Sequence, residues 1–381
     1  MNRSFRIGFD VAQTCQERAG CGWYADSLAH ALVAVEPENE YYFYHQFGGW
    51  INDDTSAGSE ISVPNAYQPM RGLSAADAAA LWGRVTAGDV ALPGDPDIVH
   101  ANCYQAPAVG AARLVYTVYD VSFWVHPEFT TDANRLLCQS GVFAALQRAD
   151  GFLFISESSR QEFERVLPGW LERHGKPWAV TLLGSREQEA PGENVAREHA
   201  GPNYWLAVGT LEPRKNYETL LDALDLYWAR SANPVPLHIA GGGGWKSDEL
   251  QRHLARLETQ GRVRRLGYVP DEELLRLYAD ARALVFPSWY EGFGLPVLEA
   301  MGQGAPVICS DRASLPEVGG DAALYIDPAS AESICEAMLA VENDPARRER
   351  MVTASRAQAA RFNWLHTAQA TLDFYRRVLG S

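Results

Sequence analysis

Residues 286–311, FPSWYEGFGLPVLEAMGQGAPVICSD, decide the fold of this chain. Residues 284–287 form a short apolar run with Val and Phe, which predicts a buried parallel strand. Pro296 suits the first turn of a helix, because the N–H that proline lacks has no partner there. We expect that helix over 296–303, ended by the Gly-Ala-Pro that follows and succeeded by another strand. The order strand, turn, helix, strand is typical of an open α/β sheet.

Two glutamates flank the glycine-rich turn of this stretch, with seven residues between them. Glu291 falls at the carboxyl end of the predicted strand, the edge at which open α/β sheets bind ligands. Glu299 falls on the first turns of the helix, where a carboxylate can accept hydrogen bonds from a vicinal diol such as a ribose. The turn between them leaves N–H groups at a helix N-terminus, which suits an anionic or polar ligand. From the spacing alone, two exposed acids without a ligand are equally compatible with this pattern.

The stretch resembles the Glu-x7-Glu motif of retaining GT-B glycosyltransferases, specifically the large family 4 of bacterial sugar transferases. The likeness runs from Gly20 to the C-terminal helix. It implies an α/β chain of two doubly wound, Rossmann-like domains that face each other across a cleft. It also implies that Glu299 binds the ribose hydroxyls of a nucleotide-sugar donor and that Glu291 contacts the transferred sugar. The backbone expected to meet sugar and phosphate is that of Gly292, Phe293, Gly294 and Leu295.

Length and the order of predicted elements indicate two domains. The chain has 381 residues, 47% of them hydrophobic and 21% charged, as in a globular enzyme too long for one core. Strands and helices alternate in both halves, which predicts two parallel sheets. We expect an acceptor-side domain over 1–185, a linker over 186–202 and a nucleotide-sugar-binding domain over 203–362. By the family resemblance, the C-terminal helix, 363–381, should return to the first domain.

The charge balance restricts the partners. A net charge of −15 argues against nucleic acid and gives no support for a strong electrostatic grip on anionic membranes. No apolar run approaches the length of a bilayer span, and the N-terminus shows no signal-peptide pattern, so we expect a cytoplasmic protein. Many relatives contact membranes through a basic helix. The corresponding segment here, 160–178, mixes arginines with glutamates, so peripheral contact at the inner membrane face is allowed but not indicated.

Cysteine and histidine patterns give no sign of a bound metal. The six cysteines are spread along the chain without a Cys-x-x-Cys pair, which predicts reduced and mostly buried thiols. The nine histidines form no metal-ligand cluster. We therefore expect no metal and no cofactor, with the nucleotide sugar as a substrate.

A second motif, VGTLEPRKN over 208–216, follows a predicted strand and opens a helix. Two adjacent cations at a helix N-terminus suit a diphosphate, because dipole, N–H groups and side-chain charge act together. The resemblance implies that Lys215 contacts the donor phosphate, and we count Gly209 among the donor-binding residues. Many relatives carry an arginine directly after that glycine, where this chain has Thr210. We therefore assign the second phosphate cation to Arg214.

A third motif, RAGCGWY over 18–24, lies between the first predicted strand and helix. It resembles the family's Gly-x-Gly-x-Tyr loop, and glycine permits close approach of the backbone to a bound group. Gly20 and Gly22 are therefore candidates for contacts near the donor phosphate and the acceptor. By itself the pattern could form a tight turn.

A fourth motif, VYTVYDVSF over 115–123, looks like the family's strand that ends in His-Asp-Leu-Ser. Asp120 becomes an acceptor-side carboxylate, although a carboxylate in this place can also cap a turn. Tyr119 replaces the family histidine, and a phenol is no base near neutral pH. In the front-face proposal for retaining transfer the leaving diphosphate takes the acceptor proton, so this replacement does not exclude activity.

Two other features are weaker candidates. The run of four glycines over 241–244 lacks the Gly-Lys-Ser/Thr ending of a P-loop and the spacing of a dinucleotide fingerprint. We interpret it as a flexible loop at a strand end. His100 follows a predicted strand, and a lone histidine in such a place is more often structural than catalytic.

The combined hypothesis is a metal-independent, retaining glycosyltransferase. Lys215, Arg214 and the helix N-terminus would stabilise the leaving diphosphate, and Glu291 is not placed to act as an inverting base. The donor base would stack near Tyr268. The Glu-Pro-Arg-Lys-Asn form resembles the mannosyl and rhamnosyl transferases of surface polysaccharides. We therefore favour GDP-mannose over UDP-glucose as donor, and a glycan, lipid-linked or small-molecule acceptor.

Other functions on the same fold stay open. A sugar-nucleotide epimerase would not be expected to carry the Glu-x7-Glu segment. A catalytically degenerate nucleotide-sugar-binding homologue is favoured by Tyr119 and Thr210, and it is opposed by Lys215, Glu291 and Glu299. A dehydrogenase would need a Gly-x-Gly-x-x-Gly fingerprint after a first strand, which the sequence lacks.

Overall fold

The computed structural model describes residues 4–16, 20–185, 204–244 and 248–380. The predicted linker, 186–202, lies outside these residues. The first two residues of the RAGCGWY motif, Arg18 and Ala19, also lie outside them.

The chain divides into two compact units. Unit 1 comprises Met1–Gly184 together with Asn363–Ser381, and unit 2 comprises Ser185–Phe362. The C-terminal helix, Trp364–Leu379, is therefore part of the first unit. Within the described residues, no helix combines the length and the apolar character needed to cross a membrane.

Unit 1 is built on a seven-stranded parallel sheet with the order β3-β2-β1-β4-β5-β6-β7. Its strands are β1 (Arg6–Asp10), β2 (Glu40–Tyr44), β3 (Ala66–Tyr67), β4 (Ile98–Ala101), β5 (Arg113–Val118), β6 (Gly151–Phe154) and β7 (Trp178–Val180). The helices between them are α1 (Gly20–Val35), α2 (Ala75–Ala87), α3 (Ser122–Val125), α4 (Asp132–Arg148), α5 (Glu157–Val166) and α6 (Trp170–Arg173). Strands β4 and β6 are buried at every residue, as expected for a sheet covered on both faces.

The C-terminal helix is joined to the sheet of unit 1 by a buried polar chain. The two ring nitrogens of His100, on β4, lie 2.6 Å from the hydroxyls of Tyr375 and Thr117. The Thr117 hydroxyl is in turn 3.1 Å from the hydroxyl of Tyr24 on α1. Burial lowers the pKa of His100 to about 3, so its imidazole is neutral near pH 7. His100 therefore has a structural role in connecting the last helix, α1 and β5.

Unit 2 is built on a six-stranded parallel sheet with the order β10-β9-β8-β11-β12-β13. Its strands are β8 (Trp205–Val208), β9 (Leu237–Ala240), β10 (Val263–Gly267), β11 (Leu284–Phe286), β12 (Val307–Ser310) and β13 (Leu324–Ile326). Its helices are α7 (Tyr217–Arg230), α8 (Asp248–Thr259), α9 (Asp271–Asp280), α10 (Leu295–Gly302), α11 (Leu315–Gly319), α12 (Ala331–Asn343) and α13 (Pro345–Ala359). The C-terminal helix of unit 1 is then α14.

Helix α4 begins at Asp132, because the Thr131 side chain accepts a hydrogen bond from a backbone N–H of the first turn. The segment 160–178 is not one helix, since α5 ends at Val166 and Gly169 adopts φ 62° before α6. All six cysteines are free, and four of them are buried.

Candidate functional site

The two motifs of unit 2 follow neighbouring strands. Strand β8 pairs with β9 on one side and with β11 on the other, so the strand order reverses between β8 and β11. In doubly wound sheets, ligands bind beyond the carboxyl ends of the strands at such a switch point. The turn after β8 carries Arg214 and Lys215, and the loop after β11 carries Glu291. The topology therefore brings the two strongest sequence motifs to one place.

An asparagine fixes the turn after β8 to the loop after β11. Asn216 adopts φ 58°, a left-handed conformation that asparagine tolerates better than most residues. Its side-chain amide donates to the carbonyl of Pro287 at 3.0 Å and to that of Pro328 at 2.7 Å. The Trp289 N–H also donates to the Arg214 carbonyl at 2.9 Å. The cationic turn is thereby held rigidly against the Glu-x7-Glu loop.

Glu291 receives both cations of the turn. The Lys215 ammonium donates to Oε1 of Glu291 at 2.6 Å, and the Arg214 guanidinium donates to the other carboxylate oxygen. Lys215 also lies over the ring of Phe286, with 4.7 Å between Nζ and the ring centroid. Arg214 makes two further contacts, to the Glu212 carboxylate at 2.6 and 3.0 Å and to the Tyr290 carbonyl at 3.0 Å. The result is a charge-balanced cluster of Glu212, Arg214, Lys215 and Glu291.

Burial shapes the electrostatics of this cluster. Burial and the neighbouring Arg214 lower the pKa of Lys215, while Glu291 acts in the opposite direction and supports the ammonium form. For Glu291, burial disfavours the carboxylate, but Arg214 and Lys215 outweigh it, so the pKa of Glu291 is below its usual value. Glu291 is therefore a buried carboxylate held between two cations.

The loop between the two glutamates is anchored by a serine and shaped by a glycine. The Ser314 hydroxyl lies 2.8 Å from the Glu291 carbonyl and 2.7 Å from the Phe293 carbonyl. Gly294 has φ 107°, and a Cβ there would lie 2.7 Å from the Leu315 side chain. Helix α10 begins directly after it, at Leu295. A glycine-rich turn therefore leads directly into a helix, as the sequence predicted, and the Val297 and Leu298 N–H groups donate to the Gly294 carbonyl at 3.0 and 3.3 Å.

Glu299 lies on α10 and is buried. One of its carboxylate oxygens accepts a hydrogen bond from the Tyr278 hydroxyl at 2.9 Å. Relative exposure is 2% for Glu299 and 6% for Glu291. The alternative of two exposed acids on a strand–turn–helix unit is therefore wrong. Buried carboxylates need partners, and Tyr278, Arg214 and Lys215 supply them here.

The glycines over 241–244 allow two backbones to approach each other. A Cβ on Gly241, which has φ 154°, would lie 2.1 Å from the carbonyl oxygen of Gly209. A Cβ on Gly244 would lie 2.5 Å from the carbonyl oxygen of Leu211. The run follows the end of β9, as predicted, and two of its four glycines, Gly241 and Gly244, pack against the first residues of the VGTLEPRKN turn. Gly209 itself has φ 137°, and a Cβ there would lie 3.0 Å from the Lys215 side chain.

Tyr268 follows β10 directly at the edge of the unit 2 sheet. Its side chain is 63% exposed, so the ring is available to a planar group from solution. It belongs to the carboxyl-end rim of the same sheet as the charged cluster, two strands away from β8. No contact in the described residues joins Tyr268 directly to that cluster.

Helix α1 and the turn before α3 carry the site candidates of unit 1. Gly20 and Gly22 lie in the first turn of α1. A Cβ on Gly20 would have nothing within 4 Å, so no close packing within the described residues requires glycine there. One carboxylate oxygen of Asp120 accepts from the Ser122 N–H at 2.8 Å and the Ser122 hydroxyl at 2.7 Å. Asp120 thus caps the turn that opens α3, as the alternative interpretation held.

Tyr119, which stands in the place of the family histidine, is buried beside another tyrosine. Its ring packs edge-on against Tyr24 with 5.3 Å between centroids, and burial raises the pKa of its phenol. Its backbone carbonyl accepts from the Ser159 hydroxyl at 2.6 Å. A neutral, packed phenol of this kind cannot replace an imidazole base.

Sequence reasoning missed several polar residues of these sites. Asp10, at the end of β1, is fully buried; burial raises the pKa of its carboxyl to about 7, although the Ala12 N–H and the Gln13 amide donate to it at 3.0 and 2.8 Å. Glu212 and Tyr278 were also missed. The position of Asp10 at the end of a predicted strand could have identified it as a candidate from the sequence. Nothing in the sequence pairs Tyr278 with Glu299, because they lie on separate helices.

Among the described residues, no group of three or more His, Cys, Asp or Glu side chains could hold a metal ion.

Comparison with known proteins identifies relatives of this chain. The family model described as glycosyl transferases group 1 matches residues 193–358. The O-antigen chain mannosyltransferase B of Escherichia coli is 36% identical over 271 residues, which cover 69% of this chain and 70% of that relative. The serotype-specific mannosyltransferase WbdA of Escherichia coli is 28% identical over 344 residues, or 84% of this chain; the match spans only 41% of WbdA.

Solved structures share the fold over almost the whole chain. Sucrose-phosphate synthase from Thermosynechococcus elongatus matches with a TM-score of 0.70 and 19% identity, covering 99% of this chain and 100% of the other. HepE from Anabaena, solved in complex with UDP and glucose, matches with a TM-score of 0.68 and 18% identity, covering 98% and 100%. At these identities the likeness establishes the fold alone, which is the GT-B fold.

Proposed function

Because this chain belongs to the group 1 glycosyl transferases, we propose that it moves mannose from GDP-mannose to an acceptor hydroxyl with retention at C1. The observation that carries this proposal is the buried cluster of Arg214, Lys215 and Glu291 at the switch point of unit 2. Two cations on a rigid turn at the carboxyl ends of parallel strands suit a diphosphate. In the proposal, Lys215 and Arg214 bind that diphosphate.

The remaining parts of the donor have places in the same unit. Glu299 binds the ribose hydroxyls, and its Tyr278 hydrogen bond orients the carboxylate for this task. The exposed ring of Tyr268 stacks with the base. The N–H groups at the start of α10 face the sugar and phosphate, where Gly294 permits close approach. The backbone of Gly209 and of residues 292–295 completes the donor contacts.

The reaction needs charge stabilisation at the leaving group. Cleavage of the C1–O bond builds negative charge on the diphosphate and positive charge on the sugar. Lys215, Arg214 and the helix N-terminus stabilise the negative charge, and Glu291, which would contact the transferred sugar, stabilises the positive charge. In a front-face reaction the leaving diphosphate accepts the acceptor proton, so the buried Tyr119 is not required as a base. Neither a metal nor a cofactor is part of this scheme.

The relatives support the choice of sugar and acceptor. The relatives named above are mannosyltransferases, one of the O-antigen chain and one described as serotype-specific. By this similarity we propose a role in polysaccharide biosynthesis, with a growing glycan or a lipid-linked glycan as acceptor. The acceptor would meet unit 1, where Asp120, Gly20 and Gly22 are its candidate contacts. We further propose that the enzyme acts in the cytoplasm, at the inner face of the membrane when the acceptor is lipid-linked.

A transfer assay tests this function. The purified chain is incubated with GDP-mannose, UDP-glucose or dTDP-rhamnose and with octyl α-mannoside as acceptor, in the presence of EDTA. We expect transfer from GDP-mannose, with an α-linked product by NMR, since the mannose of GDP-mannose is α-linked at C1. A β-linked product would refute retention, and transfer that needs an added divalent cation would refute metal independence. Transfer from another donor alone would refute the choice of mannose.

A further inference from the structure

The guanidinium of Arg214 is held between two carboxylates. Its Nε and Nη2 atoms both donate to one oxygen of Glu212, at 3.0 and 2.6 Å, and its Nη1 atom donates to Glu291. The side chain of Glu212 is 11% exposed and that of Arg214 is 25% exposed. Two edges of one planar group therefore have separate anionic partners, a geometry that lysine could not provide.

The two carboxylates have different roles if the proposed function is correct. Each oxygen of Glu291 is occupied by one of the two cations that would bind the diphosphate. An incoming diphosphate competes for the same N–H groups, and like charges this close repel each other strongly in a buried site. In the proposed function, Glu291 leaves the cations when the donor binds. The Glu212 carboxylate contacts Nε and Nη2 of Arg214, on the edge away from Glu291, so it can stay.

From this geometry we propose that Glu212 is a positioning residue for the transfer, keeping the Arg214 guanidinium at the diphosphate site after Glu291 has left. The proposal rests on the proposed donor site. Arg214 lies inside the short 3₁₀ turn Pro213–Lys215, two residues after Glu212.

The surrounding backbone makes Glu212 suited to that support. Its carbonyl accepts from the Lys215 N–H at 3.0 Å, and its N–H donates to the Thr210 carbonyl at 2.8 Å. Pro213 follows, with its φ restricted by the ring. The carboxylate thus projects from a short, hydrogen-bonded segment of fixed shape. The Tyr290 carbonyl, 3.0 Å from Nη1, adds a neutral contact.

Two substitutions distinguish a role of Glu212 in positioning Arg214 from an effect of its negative charge alone. Glu212→Ala removes the support, whereas Glu212→Gln keeps an oxygen that accepts from Nε and Nη2. Isothermal titration with inorganic pyrophosphate and with GDP measures binding, and steady-state kinetics measure KM for the donor. Losing two charge-assisted hydrogen bonds should weaken both ligands and raise the donor KM by about tenfold in Glu212→Ala. Glu212→Gln should stay within about threefold of wild type.

Opposite results would overturn the proposal. If Glu212 were only a negative charge near the anion, both variants would bind pyrophosphate as tightly as wild type or more tightly. Glu218→Ala, which removes an exposed acid in the first turn of α7, is the control for a general loss of charge and should leave binding unchanged.

If Glu212→Ala also lowers the stability of the protein, a double-mutant cycle separates that loss from the effect on donor binding. If Glu212 acts through Arg214, adding Glu212→Ala to Arg214→Ala should not raise the donor KM further, because the group that it positions is gone. Additive effects would indicate a structural role instead. Wild-type protein that binds neither GDP nor pyrophosphate would overturn the donor site itself, whereas wild-type binding that Glu212→Ala leaves unchanged would overturn the role of Glu212 alone.

Discussion

The ammonium nitrogen of Lys215 lies 2.6 Å from a carboxylate oxygen of Glu291, although 76 positions separate them in the chain. The contact joins the turn after β8 to the loop after β11 and places a buried charge pair at the point where the strand order reverses. Such a pair contributes little to stability when both partners must be desolvated, so a functional reason for keeping it is expected.

Replacing Lys215 should nearly silence the enzyme. Lys215→Ala removes a cation that stabilises the leaving diphosphate, and loss of one such group typically lowers the rate by about 10²–10³-fold. The measurement is kcat/KM for transfer from the donor. Lys176→Ala is the control, because that lysine donates to a backbone carbonyl in unit 1 and should leave kcat/KM near the wild-type value. Full turnover in Lys215→Ala would remove this residue from the site.

Removing the Tyr278 hydroxyl should weaken donor binding without stopping turnover. Tyr278→Phe deletes the group that donates to Glu299 at 2.9 Å, so the carboxylate is no longer oriented for a ribose. Loss of a hydrogen bond to a charged group should raise the donor KM by about tenfold, with a small effect on kcat. Tyr204→Phe removes a hydroxyl that donates to the carbonyl of Leu277 on the same helix and serves as the matched control. An equal KM in the two variants would contradict the proposed role of Glu299.

Adding one methyl group at Gly241 should disrupt the cationic turn. The new Cβ would lie 2.1 Å from the carbonyl oxygen of Gly209, and the backbone φ of 154° is unfavourable for alanine. We expect a loss of roughly 3 kcal/mol of stability, seen as a lower Tm, together with weaker donor binding. A Cβ on Gly242 meets nothing within 4 Å, so Gly242→Ala should behave like wild type. Indistinguishable melting curves for the two variants would show that the backbone approach is not required.

Tyr375→Phe should loosen the C-terminal helix. The substitution leaves one nitrogen of the buried His100 without the hydroxyl that lies 2.6 Å away. An unsatisfied buried polar group costs about 1–3 kcal/mol, so the Tm of unit 1 should fall. Tyr67→Phe, at an exposed tyrosine of β3, is the control and should not change the Tm. A Tm unchanged in Tyr375→Phe would mean that the polar chain does not stabilise the docked helix.

Asp10 should make the stability of unit 1 depend on pH. Burial raises the pKa of its carboxyl from 3.8 to about 7, so the native state keeps a proton that the unfolded chain loses. Stability therefore falls as pH rises from about 4 to about 7 and then levels off, by on the order of 4 kcal/mol at most. Asn cannot ionise, so the Tm difference between Asp10→Asn and wild type should shift in favour of the variant between pH 5 and pH 8. The same comparison with Asp53→Asn, at an exposed aspartate, is the control for the substitution itself.

Regular elements were predictable because their signals are local. Helix α8, Asp248–Thr259, carries Leu250, Leu254 and Leu257 at helical spacing, and all three face the core. The strand–turn–helix unit around Glu291 was predictable for the same reason, because glycine and proline mark its turn. These signals do not depend on residues elsewhere in the chain.

What the sequence could not show depends on contacts across the fold. Asn216 is left-handed because its amide reaches the carbonyls of Pro287 and Pro328, more than 70 positions away. The run over 241–244 was interpreted as a flexible loop from its glycines alone. In the structure Gly241 lies against the backbone of another loop, at Gly209. Glycine signals both freedom and close approach, and only the tertiary structure distinguishes the two.

The central claim is that unit 2 holds a nucleotide-sugar donor through Lys215, Glu291 and Glu299. The most direct measurement is a thermal-shift screen of GDP, UDP, dTDP and ADP and their sugars, without added metal, on wild type and Glu299→Ala. A ligand at about 100 times its Kd adds roughly 2.7 kcal/mol to stability, enough for a clear rise in Tm. We predict one responding nucleotide, GDP with GDP-mannose, and no response in Glu299→Ala. A response that survives in Glu299→Ala, or none with any nucleotide, would contradict the account.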